Sequence, residues 1–74
     1  MTLPSAETVR RIREAYPAGT RVVLVKMNDR QAPPCGTRGT VEDVDDIGSL
    51  LMRWDNGSGL NVVYGVDVVK KVEE

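Results

Sequence analysis

Histidine and phenylalanine are both missing from this 74-residue chain, and cysteine occurs once, at Cys35. Without histidine there are no Cys–His or Ser–His–Asp nucleophilic pairs, no histidine metal sites and no use of the commonest general acid–base group. A lone cysteine excludes an internal disulfide, on which small secreted domains usually rely. Only Tyr16, Trp54 and Tyr64 are aromatic. That is too few to line a proline-recognition groove of the SH3 type, or to stack successive bases of a single strand. Apolar runs are only a few residues long, short of a membrane span. Met1–Pro4 leads into a charged stretch rather than the apolar segment of a signal peptide. These absences predict a soluble, cytoplasmic protein that is not an enzyme and needs no cofactor or metal.

What is present suffices for one small domain. The chain is 41% apolar, rich in valine, and near the lower size limit for a self-standing core. Its net charge of −1 conceals an asymmetry: residues 1–38 carry +4 and residues 39–74 carry −5. In a small barrel the strands interleave, so two charged halves of the sequence need not become two charged faces.

The opening LPSAETVRRIREAYP predicts one short helix. Ser5 suits the N-cap and Glu7 the first turn. Val9, Ile12 and Tyr16 share a narrow arc, and Pro17 stops the helix, since the residue before proline is pushed out of helical geometry. Glu7 with Arg11, and Arg10 with Glu14, have the i,i+4 spacing of helix ion pairs. So short a helix must dock its apolar stripe to persist.

Five strands follow in the reading: 20–27, 38–45, 49–55, 60–64 and 66–72. In SLLMRWD the side chains of Leu50, Met52 and Trp54 alternate with Leu51, Arg53 and Asp55, the pattern of a half-buried strand. This predicts Trp54 as a core residue rather than an exposed platform. NGSG (56–59) supplies a tight turn, and LNVVY places Leu60, Val62 and Tyr64 on one face. The fold class expected is mainly β: a five-stranded SH3-like barrel over 17–74, with the helix of 1–16 docked on it.

The ordered motifs MND-x-QAPP, GT-x-GTV, VDDIGS and WDNG, within residues 17–67, resemble a family of small bacterial and phage-associated proteins, domain of unknown function 4314. The resemblance implies an SH3-like fold and association with mobile elements, and implies no activity. More distantly, GTV followed by WDNG, a tyrosine and GVD is similar to the barrel domain of the Mind bomb and HERC ubiquitin ligases. That likeness implies binding to protein segments.

Other clusters carry less chemistry. Glu42, Asp43, Asp45 and Asp46 lack calcium-loop order and read as a solvated turn. The glycines are scattered along the chain and form no phosphate-cradling loop. Cys35, in a proline-rich loop, reads as an inert thiol.

Two functional expectations remain. The first is a non-catalytic adaptor that binds a protein partner through the 28–36 loop, with Asn28, Asp29, Arg30, Gln31, Pro33 and Pro34 as contacts. Longer loops on small scaffolds tend to carry function, and two prolines stiffen this one toward an extended shape. The same loop also suits a plain connection across one barrel end, with Met27 and Ala32 packing down. The second expectation is a weak nucleic-acid-binding accessory protein that uses Arg10, Arg11, Arg30 and Arg38 on phosphates.

Overall fold

The computed structural model describes residues 4–72. Leu3, first in the stretch read as helical, lies outside the described residues, as do the outer ends of the two expected units. The helix α1 spans Ala6–Ala15. Ser5 caps it as expected, its hydroxyl accepting the Thr8 N–H at 3.1 Å. The Glu7–Arg11 pair forms at 3.0 Å; Arg10 and Glu14 do not pair. Val9 is buried, and Ile12 and Tyr16 pack against the core. Arg13 adds a tie that the sequence did not announce. Its Nε donates to the Val44 carbonyl and its Nη2 to Asp46, fixing the helix to the far end of the sheet.

Four strands follow: β1 Arg21–Lys26, β2 Arg38–Val44, β3 Leu50–Trp54 and β4 Val68–Lys71. All pair antiparallel, in the order β3-β2-β1-β4. The ladder slips by a residue at Glu42 in β2 and at Val25 in β1, bulges that bend a strand and raise its local twist. Val22, Leu24, Val41, Val44, Leu50, Met52, Trp54 and Val62 form the core on one face of the sheet. The helix covers that side.

Trp54 is 1% exposed. Its indole N–H donates to the Leu60 carbonyl at 2.8 Å, so burial leaves no orphaned donor. Its ring lies over Gly39, its cross-strand partner. A Cβ on Gly39 would stand 2.6 Å from the ring, so only glycine admits the indole there.

One expectation fails. The strand expected at 60–64 is reduced to a single bridge, Leu50 to Val62, so the architecture is four strands in one open sheet, not five in a closed barrel. Side chains take over the bonds that a fifth strand would make. Asn61 Oδ1, rather than a backbone carbonyl, accepts the Met52 N–H, and the Asp67 carboxylate accepts the Val63 N–H. Gly65, at φ +78°, then helps close a turn in which the Val63 carbonyl receives the N–H groups of Val66 and Asp67. Tyr64 is left 49% exposed, whereas Val62 is buried.

Among the described residues no helix is long and apolar enough to cross a membrane.

Candidate functional site

The 28–36 loop is built as a pinned display. Asp29 folds its tip: its carboxylate accepts the Gln31 N–H at 2.8 Å and its carbonyl the Ala32 N–H at 3.1 Å. At the base, Gly36 donates to the Leu24 carbonyl and Leu24 to the Thr37 carbonyl. Pro33 is buried, whereas Asn28, Asp29, Arg30, Gln31 and Pro34 are exposed. Five of the six expected contacts therefore face solvent, and Pro33 anchors the loop instead. Met27 packs against the core.

The four arginines of the nucleic-acid expectation are not brought together. Arg10 and Arg11 lie on the outer surface of α1, on the core side of the sheet, and Arg11 is engaged by Glu7. Gly39 faces Trp54, so alternation sends its neighbour Arg38 out of the opposite face. Arg30 sits at the loop tip.

The acidic run is also dispersed. Asp45 accepts the N–H groups of Ile47 and Ser49, Asp43 accepts that of Val44, and Asp46 holds Arg13. Among the described residues no group of three or more His, Cys, Asp or Glu side chains is placed to hold a metal ion. Cys35 is exposed and free.

One concavity was not foreseen. A cleft of about 270 Å³ opens between α1 and the 62–69 segment, where the missing strand leaves the sheet unclosed. Ile12 and Tyr16 form its helix wall, Leu50 and Val62 its floor, and Tyr64 and Val68 its outer lip. Val63, Tyr64, Val66 and Val68 are all exposed; Tyr64 and Val68 line the cleft, and Val63 and Val66 belong to the turn that forms this rim. Lys71 stands beside the cleft, its Nζ 5.2 Å from the centre of the Tyr16 ring, a cation–π distance. Lys26 pairs with Val68, so the root of the 28–36 loop lies next to this rim. A concave, mostly apolar site with a few polar groups at its edge is the usual form of a binding site.

A sequence signal for the rim existed. VVYGV holds more consecutive apolar residues than a period-two strand can bury, and Gly65 with Asp67 just after it marks a turn there.

No curated protein and no solved structure matches the chain. The model of one family matches residues 5–72, taking in the helix as well as the sheet. The chain therefore belongs to the family described as a domain of unknown function, DUF4314.

Proposed function

We propose that this domain is a non-catalytic adaptor that holds an extended segment of a partner protein across the 63–68 rim. One apolar side chain of the segment enters the cleft. The observation that carries the reading is the cleft itself, with exposed Tyr64 and Val68 at its lip and exposed Val63 and Val66 in the adjoining turn. Contiguous exposed apolar surface is the usual mark of a protein contact. Lys71 favours an acidic residue in the partner beside the apolar anchor, because the one carboxylate lining the cleft, Asp67, is occupied by the Val63 N–H. Asn28, Asp29, Arg30, Gln31 and Pro34 extend the contact from the adjoining loop, and Pro33 keeps that loop in place.

In this reading the fold is an SH3-like barrel opened along one seam, with residues 58–62 as the remnant of the fifth strand. The absence of histidine supports a module without catalysis. Service to phages or other mobile elements in the bacterial cytoplasm belongs to the same proposal and rests on the family resemblance.

Capture from a host lysate tests it, comparing the wild type with Val66→Glu and with a Gly-Ser replacement of 28–31. Each variant is checked for an unchanged melting temperature. The expected result is a partner whose affinity falls by more than about tenfold, or about 1.4 kcal/mol, in Val66→Glu. A peptide from that partner should shift the NMR signals of Tyr16 and Tyr64. A partner that Val66→Glu retains refutes the reading. A dimer in light scattering that Val66→Glu dissolves would also refute it, because the rim would then belong to a second copy.

A further inference from the structure

The outer face of the sheet, opposite the helix, carries a second surface. Cross-strand register sets its layout. Arg53 pairs with Thr40, and Thr40 with Arg21, giving one row over three strands; Arg38 pairs with Val23, and Val23 with Lys70, giving the next. Neighbouring strands lie about 4.8 Å apart and alternate residues of one strand about 6.7 Å, and the two rows together run from β3 to β4, so four cations share a field of roughly 14 by 7 Å. Arg38, Arg53 and Lys70 are exposed.

One acid lies among them. Arg21 holds Asp55 through two hydrogen bonds of 2.8 and 2.6 Å and also donates to the Thr40 hydroxyl. Arg21, Arg38, Arg53 and Lys70 against Asp55 leave a local charge of +3. Asp55 registers the field: the Arg21 hydrogen bond first, then the charges of Arg21, Arg38 and Arg53, hold its carboxyl below its ordinary range. Glu42 and Asp43, at the bulge farther along β2, bound the patch at one end.

We propose that this face binds the phosphate backbone of duplex DNA without reading sequence, with Arg38, Arg53 and Lys70 as the contacts. Arg21 is a positioning residue, kept in the plane of the sheet by Asp55 and Thr40. Arginine's planar fork suits phosphate oxygens. A single strand is disfavoured, because no aromatic ring stands on this face to stack a base. A flat strand surface offers nothing to enter a groove, so the contacts remain with the backbone. The net charge of −1 opposes the patch and keeps binding at the weak, non-specific end, with Kd about 10⁻⁴ M at physiological salt. The surface is separate from the cleft, so a partner protein and DNA can be held on opposite sides at once.

Fluorescence anisotropy of a labelled DNA duplex against salt tests the proposal. Three phosphate contacts give a slope of log affinity on log salt of about −2.7. Arg38→Gln with Arg53→Gln should bring the slope to about −0.9; neither side chain makes a hydrogen bond or ion pair among the described residues, so the fold is not at risk. Arg10→Gln with Arg11→Gln should leave the slope unchanged. The proposal is overturned if duplex binding is absent at low salt, or if the helix variant weakens it as much as the sheet variant. Tighter binding of a single strand would also overturn it. So would competition by poly-glutamate equal to that by unlabelled duplex, which would mark the face as a site for an acidic protein.

Discussion

Gly39→Ala adds one methyl group at a strand position where alanine is ordinarily the better residue. Replacing a strand glycine recovers about 0.5–1 kcal/mol of backbone entropy, so a reading that ignored packing would expect stabilisation. The geometry reverses the sign. The new Cβ would lie 2.6 and 3.0 Å from two carbons of the Trp54 ring and 3.1 Å from the Met52 methyl. Carbon atoms in contact settle near 3.5–4.0 Å, so the ring would have to retreat by about 1 Å. Nothing lets it: the side chain is 1% exposed and its N–H is tied to Leu60. Overpacking of this kind costs about 1–3 kcal/mol, and a ring this enclosed belongs to the upper half of that range, which leaves a net loss of about 1–2 kcal/mol. In a domain of this size that lowers the melting temperature by about 5–15 °C, measurable by circular dichroism. Trp54→Leu makes room for the methyl, so on that background Gly39→Ala should be neutral or stabilising, a coupling of about 1–3 kcal/mol in a double-mutant cycle. A Gly39→Ala protein that melts at or above the wild type would refute the packing argument, as would strict additivity with Trp54→Leu.

Trp54→Ala should cost about 3–5 kcal/mol against a total of about 5 kcal/mol or slightly more. The variant should therefore keep only about 0–2 kcal/mol and melt at least about 12 °C lower, and a cooperative melt shifted by only a degree or two would show that the ring is not core. Lowering pH should weaken the Arg21–Asp55 pair. Because the folded carboxyl titrates below its ordinary value, its contribution is present above about pH 4, the unfolded value, and is lost as pH falls through the lower folded value. Melting curves of the wild type and Asp55→Asn should thus converge on acidification below pH 4, and a gap that persists or widens there would contradict the assignment.

Local chemistry made much of the fold legible. Ser5 and Pro17 mark the ends of α1, and the alternation of Leu50, Met52 and Trp54 placed the tryptophan inside. Where that alternation continued past Leu60 it misled, because period-two patterning assumes a ladder of backbone bonds. Here the Asn61 and Asp67 side chains satisfy the N–H groups of Met52 and Val63, and the strand dissolves into a turn. The cleft follows from that loss, and only the turn residues Gly65 and Asp67 hinted at it. The outer basic face was hidden differently: Arg53 lies 32 residues from Arg21 in the chain, and only the register through Thr40 brings them into one row. Conversely Arg10, Arg11 and Arg38 all lie in the basic half of the sequence and end on opposite sides of the sheet. Pro33 shows that a proline-rich loop can spend one ring on its own attachment.

Strand β4 has consequences beyond the pairing it makes. Among the described residues it pairs only with β1, so its other side presents unmet backbone groups, a template on which a like strand can grow. At four residues it is short, and Lys70 and Lys71 occupy half of it. When two copies approach through these edges with the strands in step, ammonium groups meet ammonium groups. The domain is thus protected against sheet-to-sheet polymerisation by length and charge rather than by closure. Its tolerance of high local concentration depends on two lysines staying unmodified.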